Sequence, residues 1–172
     1  MKPNDGPRTG SRDNSRDNSK GSQKQKPAAG DRRLGDFLCF AIYSANLAYG
    51  RAYKEGLEQL GLTYPQWIVI VLLGENGEQT VSQIGDTMFL ESNTLTPVLK
   101  KLETMGYLRR QRDPADERQV RVSLTDAGRK LREKGMQTQL VKSGGLKPDE
   151  FTRLQRSIVT LRDNLIKATR GE

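Results

Sequence analysis

The most constraining feature of the sequence is the order of patterns across residues 80–124. Two short stretches in "TVSQIGDTMFLESNTLTPVLKKLE" place apolar residues three or four positions apart, which predicts two helices joined by a tight turn. In that turn Glu91, Ser92 or Asn93 is expected to cap the second helix. "YLRRQR" and "QVRVSL" then alternate with period two around the charged turn "DPADE", which predicts a β-hairpin. Two short helices followed by a basic hairpin predict a winged helix-turn-helix.

Further helices are predicted on both sides of this motif. Residues 34–60 have helical periodicity, and Pro65 suits the first turn of a buried helix, "WIVIVLLGENGE". Thr125 is expected to cap another helix, and "KSGGLKP" interrupts the chain before a last helix at about 148–168. The fold class is therefore mostly α with a small β-hairpin wing.

The last helix carries an apolar seam spaced 3, 4, 3, 4 along the sequence, which is typical of a dimer contact. Core packing within one chain is the alternative. We therefore predict one winged helix-turn-helix domain over residues 34–172, with its DNA-binding part at about 66–135 and dimerisation helices at both ends. The seam consists of Phe151, Leu154, Ile158, Leu161 and Leu165.

The charge of the chain points to a phosphate-bearing partner. The formal net charge is +8, which suits nucleic acid or an anionic membrane surface. Residues 1–33 hold nine basic and four acidic residues but no aromatic one, so they are predicted to form a disordered basic tail. That tail is expected to be a solvated linker, with nonspecific DNA attraction as the alternative.

Composition excludes several classes of protein. The chain has no histidine and one cysteine, so it lacks the usual general base and the residues for a zinc site or a disulfide framework. No metal or cofactor is predicted. No stretch approaches the roughly 20 apolar residues that span a bilayer, and no secretory signal is evident. We expect a cytoplasmic protein with no membrane partner.

The predicted second helix of the motif would enter the major groove N-terminus first. Lys100 and Lys101 would reach the DNA backbone, while Arg118 at the wing tip would enter the minor groove with Asp116 holding its guanidinium. A surface salt bridge is the alternative role for Arg118, and the strand residues Arg109, Arg110 and Arg112 are weaker candidates. The residues expected to face base edges and phosphates are Ser92, Asn93, Thr94 and Thr96.

Three segments carry a resemblance to a known family. "CFAIYSANLAYGRAYKEGLEQLGLTYPQW", "TVSQIGDTMFLESNTLTPVLKKLE" and "DERQVRVSLTDAGR" resemble the MarR family of winged-helix regulators. The combination of "LCFAIYS", "RAY" and "LTYPQ" is similar, more narrowly, to the organic hydroperoxide resistance repressors, OhrR. The resemblance covers about Leu34 to Gly135 and, more loosely, the last helix.

This resemblance implies a homodimeric repressor that leaves a palindromic operator when an organic hydroperoxide oxidises its N-terminal cysteine. Here that residue would be Cys39, with Tyr53 and Tyr64 as its hydrogen-bonding tyrosines and Tyr43 nearby. Composition alone would favour Cys39 as a small buried hydrophobe. Members with a second, resolving cysteine form an intersubunit disulfide. This chain resembles the one-cysteine type, whose sulfenic acid condenses with a small thiol or a backbone nitrogen, or oxidises further.

Helix geometry adds one constraint. Tyr53 follows Cys39 by 14 residues, which is roughly 21 Å along a helix. Any Tyr53 that serves the thiolate must therefore come from the partner subunit. The helix N-terminus, with Asp36 as a possible cap, would also favour the thiolate. We further expect Phe37, Phe40, Ile42 and Trp67 to form an apolar pocket that selects organic hydroperoxides.

Two other functions are considered. The first is a MarR-type repressor that responds to a phenolic or other small ligand, with Cys39 incidental. The second is a thiol peroxidase, which would need a recycling thiol and would leave the DNA-reading half of the chain unused. We expect a regulator rather than an enzyme.

Overall fold

The computed structural model describes residues 33–137 and 144–171. The described residues fall into two compact units, one that ends at Phe40 and one that begins at Ala41. The predicted tail at residues 1–33 lies almost entirely outside the described residues, as does part of the predicted interruption at residues 142–148.

Six α-helices and three short strands make up the described chain. After a 3₁₀ turn at Leu34–Asp36, the helices are α1 (Leu38–Gln59), α2 (Tyr64–Asn76), α3 (Val81–Met88), α4 (Ser92–Thr104), α5 (Asp126–Gln137) and α6 (Pro148–Arg170). The strands are β1 (Gln79–Thr80), β2 (Leu108–Arg112) and β3 (Val120–Leu124). None of the described helices is long and apolar enough to cross a bilayer.

The three strands form one antiparallel sheet in the order β1-β3-β2. The hairpin pairs Leu108 with Leu124 and Arg112 with Val120, which confirms the predicted wing. Strand β1 was not predicted, because two residues are too short to show a period-two pattern. The predicted fold class, mostly α with a small hairpin wing, is confirmed, and β1 adds a third strand to the wing sheet.

Local signals begin the helices where the sequence predicts. Pro65 lies in the first turn of α2, where its missing N–H costs no hydrogen bond. The Thr80 hydroxyl accepts from the Gln83 backbone N–H at 3.2 Å, and the Gln83 side-chain oxygen accepts from the Thr80 backbone N–H at 2.8 Å. These two hydrogen bonds form a capping box. Thr125 caps α5 by accepting from the Gly128 N–H at 3.1 Å. Glu91 occupies the N-cap position of α4, although its side chain makes no capping hydrogen bond.

One apolar core holds the winged-helix part together. Its fully buried side chains come from α2, α3, α4 and β3, whereas α6 contributes none. Trp67 belongs to this core and closes over Gly135, where an added Cβ would lie 2.4 Å from its ring. The core therefore fixes α4 and the wing relative to α2 and α5. The fully buried residues are Val69, Ile70, Ile84, Leu95, Leu99, Leu102 and Val122.

Candidate functional site

The N-terminal turn of α4 faces solvent. Ser92, Asn93 and Thr94 are exposed, and Leu95 and Leu99 are buried beneath them. Because leucines in the core hold one side of the helix, its opposite side is presented in a fixed orientation. Polar side chains on such a turn suit contact with base edges and phosphates.

Local hydrogen bonds orient the hydroxyl groups of this turn. The Thr96 hydroxyl donates to the Ser92 carbonyl at 2.6 Å, and the Thr94 hydroxyl donates to the Asn93 side-chain oxygen at 3.2 Å. The hydroxyl protons are therefore used within the protein, while their lone pairs and the Asn93 amide N–H groups keep their bonding capacity. An amide with donors available at a helix start can read base edges in the major groove.

The turn of the wing is fixed by Asp113, which is only 6% exposed. Its carboxylate accepts from the Ala115 backbone N–H at 2.9 Å and from the Arg121 guanidinium at 2.7 Å. The same guanidinium also donates to Glu78 at 3.2 Å. The hydrogen bond from Ala115, and then that from Arg121, lower the pKa of Asp113. The turn is therefore tied to the base of the sheet by charged hydrogen bonds.

Asp116 shapes the wing tip through the backbone. One of its oxygens accepts from the Arg118 backbone N–H at 3.1 Å, and the other accepts from the Gln119 side chain at 3.0 Å. The prediction that Asp116 holds the guanidinium of Arg118 is therefore wrong, because the short turn brings the amide, and not the side chain, to the carboxylate. Within residues 33–137 and 144–171, that guanidinium has no hydrogen bond or ion pair. A surface salt bridge is thus not its role in this structure.

A groove between α4 and the wing brings the predicted DNA-contacting residues together. Ser92 and Thr96 line one side, and Arg118 lines the other. Arg110 also borders the groove, but its guanidinium donates to Glu103 at 2.8 Å, and this hydrogen bond lowers the pKa of Glu103. Arg110 is thus engaged within the protein, whereas Arg118 is available to a ligand. Four more basic side chains are exposed: Lys100, Lys101, Arg109 and Arg112.

Three tyrosines cluster at the junction of α1 and α2. The Tyr53 ring lies 5.1 Å from that of Tyr64 and 6.4 Å from that of Tyr49, measured between centroids. Burial, and then the neighbouring hydroxyls of Tyr64 and Tyr49, raise the pKa of Tyr53. Like any phenol at neutral pH, Tyr53 is protonated, so it can donate a hydrogen bond. Tyr43 is exposed on α1.

Cys39 is an exposed thiol in the first turn of α1, where the sequence places it. Asp36 does not cap this helix, so that expectation is wrong. It closes the preceding 3₁₀ turn, and its carboxylate accepts from the Arg33 backbone N–H at 3.0 Å. Cys39 and Tyr53 are carried by the same helix, at a separation of roughly 21 Å along its axis. One chain therefore cannot bring this thiol to this phenol while α1 remains a helix.

Comparison with known proteins identifies the family. The model of the transcriptional regulator SarA/Rot family matches residues 51–134. The HTH-type transcriptional regulator TtmR of Methylorubrum extorquens (strain PA1) is 45% identical over 130 residues, which cover 74% of this chain and 67% of TtmR. The organic hydroperoxide resistance transcriptional regulator of Bacillus subtilis (strain 168) is 40% identical over 104 residues, which cover 60% of this chain and 71% of that regulator. The chain belongs to the MarR/SarA family of winged-helix transcriptional regulators.

The solved structures agree with this assignment. AbfR is a protein of Staphylococcus epidermidis. The structure of reduced AbfR bound to DNA matches this regulator with a TM-score of 0.66 and 36% identity, over 78% of this chain and 95% of AbfR. Overoxidised AbfR bound to DNA matches with a TM-score of 0.65 and 35% identity. The winged helix of this chain is thus also the architecture of these solved structures.

The regulator departs from the sequence-based site at Trp67. This residue was expected to form an apolar pocket with Phe37, Phe40 and Ile42, but it is only 5% exposed and belongs to the core. The other three are exposed. An indole packed against a glycine of α5 stabilises the fold and cannot serve as a wall open to a peroxide.

Sequence reasoning also missed three residues that the structure places near the candidate functional surfaces. Asp113 fixes the wing turn, and an aspartate at the start of a tight turn was the signal available. Tyr49 joins the tyrosine cluster, and its position four residues before Tyr53 on a helix was the signal. Phe89 adopts a left-handed backbone conformation between α3 and α4, which no pattern in the sequence predicts.

Proposed function

We propose that this regulator is a homodimeric repressor that releases a palindromic operator when an organic hydroperoxide oxidises Cys39. One observation carries the proposal: the first turn of α1 holds an exposed thiol, and the C-terminal half of the same helix holds Tyr53, whose ring packs against that of Tyr64 at the start of α2. The Bacillus subtilis relative, named as an organic hydroperoxide resistance regulator, supports the inducer class.

DNA binding would use the groove between α4 and the wing. The exposed turn that begins at Ser92 would enter the major groove, and the unpaired guanidinium of Arg118 would enter the adjacent minor groove. Lys100 and Lys101 would contact phosphates farther along. Reduced AbfR, a structural relative, is bound to DNA, which supports DNA binding by this regulator. A palindromic operator follows if two copies bind as a symmetric dimer.

Dimerisation would use the apolar side chains that one chain leaves exposed. Leu154, Ile158 and Leu165 of α6 are between 44% and 56% exposed and share one seam of the helix. Ile42 and Leu47 of α1 are also exposed. A contiguous apolar face of this kind marks a protein interface. With the two α1 helices antiparallel, the partner subunit's Tyr53 and the partner subunit's Tyr64 would meet Cys39.

The oxidation step consumes one hydroperoxide. The thiolate sulfur of Cys39 attacks the terminal peroxide oxygen, the O–O bond breaks, and the alkoxide takes a proton to leave as an alcohol. Sulfur becomes a sulfenic acid. The protonated partner tyrosines would donate hydrogen bonds to the thiolate and supply the proton to the alkoxide, which they regain from water. A small-molecule thiol then condenses with the sulfenic acid to give a mixed disulfide and water.

The mixed disulfide would carry the signal to DNA. It adds bulk and removes an anion at the dimer interface, so the helices there must repack. Repacking changes the distance between the two α4 helices, which no longer match half-sites about one DNA turn apart. Because overoxidised AbfR is recorded on DNA, we expect the mixed disulfide, and not overoxidation alone, to release this regulator.

The test is fluorescence anisotropy of the reduced protein on its own promoter DNA, before and after one equivalent of cumene hydroperoxide plus a small thiol. We expect affinity for the operator to fall at least about tenfold and to recover with dithiothreitol. Cys39→Ser should remain bound, and Tyr53→Phe should respond more slowly. Tyr107→Phe, a tyrosine between α4 and β2 and outside the tyrosine cluster, is the matched control.

Two outcomes would contradict the proposal. Derepression that persists in Cys39→Ser when a phenolic ligand is added would favour the small-ligand regulator. Repeated turnover of hydroperoxide without any change in DNA affinity would favour a thiol peroxidase.

A further inference from the structure

Phe89 has an unusual backbone conformation at the start of the turn that leads to α4. Its φ is 54° and its ψ is 40°, and within residues 33–137 and 144–171 it is the one non-glycine residue with positive φ. Such a left-handed conformation favours glycine, since a Cβ crowds the following carbonyl. A phenylalanine here is conformationally costly, so its side chain must supply something that glycine lacks.

The Phe89 ring is in contact with α6. The guanidinium carbon of Arg162 lies 4.8 Å from the ring centroid, which is a cation–π contact. Arg162 also donates to the Asp163 carboxylate at 2.9 Å, and this bond orients the guanidinium. Ile158 and Leu165 of α6 line a small apolar cavity together with the ring. The aromatic side chain therefore lies between a cation and an apolar wall of the same helix.

This contact joins the turn before α4 to α6. Helix α6 contributes no residue to the buried core. On the other side, the turn is tight: the Leu90 N–H donates to the Gly85 carbonyl at 3.0 Å, and α4 begins three residues after Phe89, at Ser92. A displacement of the ring would consequently move the start of α4.

We infer that Phe89 and Arg162 are positioning residues that set the orientation of α4 relative to α6. This rests on the proposed function, because it requires a dimer that binds DNA through both α4 helices. If α6 forms the dimer interface, then the Phe89–Arg162 contact fixes the spacing of the two α4 helices. The Phe89–Arg162 contact would thereby determine which half-site spacing the dimer binds, without either residue contacting a base.

The test compares operators of different spacing. A palindromic duplex is first selected from a random-sequence library with the wild-type protein, and its centre is then lengthened or shortened by one and two base pairs. Anisotropy titrations of the full chain use Phe89→Gly, Arg162→Gln and Phe89→Tyr. Arg156→Gln removes another exposed arginine of α6 and is the matched control.

Phe89→Gly and Arg162→Gln should bind the selected duplex about threefold to tenfold more weakly and should discriminate less between spacings. Phe89→Tyr keeps the ring and Arg156→Gln keeps the contact, so both should retain the wild-type profile. Phe89→Gly relieves the left-handed strain, so it should not lower the thermal unfolding midpoint, which circular dichroism measures. An undiminished midpoint would show that the weaker binding does not result from unfolding.

The outcomes separate this inference from the proposed function. Wild-type spacing preference in Phe89→Gly and Arg162→Gln would overturn the inference and leave the repressor intact. Equal weakening at every spacing would also overturn it, because a merely structural role lowers affinity without changing the profile. If the wild type itself selects no duplex, the proposed function fails first.

Discussion

The winged-helix core buries its apolar side chains, whereas helix α6 leaves several of its apolar side chains exposed. In the core, Leu99 and Leu102 have no exposed surface. On α6, Leu154 is 49% exposed, although the helix is long and its start is closed by the Lys147 N–H donating to Glu150 at 3.0 Å. The core is thus complete within one chain, whereas α6 requires a further surface to cover its seam.

The proposed DNA contact and the proposed sensor also lie on different parts of the molecule. The groove that would contact DNA is built on the complete region, since Ser92 and Arg118 are held by the core and by the wing turn. The proposed sensor lies on α1, which like α6 leaves apolar side chains exposed. It also needs a partner, because Cys39 and Tyr53 are too far apart on α1 to meet within one chain. A rigid DNA-contacting surface attached to an interface that can repack is suited to a switch.

The largest effect should come from a cavity in the core. Leu99→Ala removes a fully buried side chain and should lower the free energy of unfolding by about 2–5 kcal/mol. Urea denaturation measures the loss. Leu154→Ala, the same change on α6, should cost much less at protein concentrations where the chain is monomeric. Equal losses for the two variants would break the comparison.

A charge in the α6 seam should separate subunits without unfolding the core. Leu154→Asp places a carboxylate where the partner would pack, and we expect the dimer dissociation constant to rise about a hundredfold. Sedimentation equilibrium measures the change. Gln155→Asp, the adjacent exposed position, is the matched control. An unchanged dissociation constant for Leu154→Asp would remove α6 from the interface.

Two glycines give a smaller contrast. Gly135→Ala would place a Cβ 2.4 Å from the Trp67 ring, and such overpacking should cost about 1–3 kcal/mol. Gly50 on α1 has nothing within 4 Å of an added Cβ, so Gly50→Ala should stabilise the monomer by about 0.5–1 kcal/mol. Urea denaturation checks both variants. A Gly50→Ala variant that dimerises more weakly would show that α1 packs closely against its partner.

The smallest effect should be the acid sensitivity of the wing. The Ala115 N–H and Arg121 lower the pKa of Asp113, so the folded state binds its proton later than the unfolded chain as pH falls. Asp113 therefore stabilises the protein above its ordinary pKa, and this contribution is lost as pH falls through the lowered value.

The urea midpoints of the wild type and Asp113→Asn should accordingly differ at pH 7 and begin to converge as pH falls below about 4. Glu117→Gln, which changes an exposed carboxylate of the same turn, is the control. A gap between the wild type and Asp113→Asn that does not narrow as pH falls would mean that the Asp113 carboxylate acts by shape and not by charge.

Much of the fold was predictable because its signals are local. Pro65, Thr80 and Thr125 lie at helix starts, where ring geometry or a side-chain hydrogen bond acts within three residues. The wing followed from alternation over five-residue strands. Strand β1 escaped prediction because it exists only through pairing with β3, more than 40 residues away.

The candidate site was predictable in its residue types but not in its contacts. The exposed turn of α4 and the position of Arg118 followed from the helix-turn-helix and hairpin patterns. The partner of Asp116 did not, because the path of the turn from Asp113 to Gln119 decides whether a carboxylate meets an amide or a guanidinium. Trp67 was misplaced for a similar reason: its neighbour Gly135 is distant in sequence.

The sequence by itself determined the order of the helices and of the two hairpin strands, the polar turn of α4, the single thiol and the apolar seam of α6. These follow from periodicity and from the chemistry of neighbouring residues. Only the tertiary structure decided that the Arg118 guanidinium is unpaired among the described residues, that Tyr53 packs against Tyr64, and that Phe89 contacts α6. The physical reason is that such contacts depend on how distant segments pack, and packing is a property of the whole core.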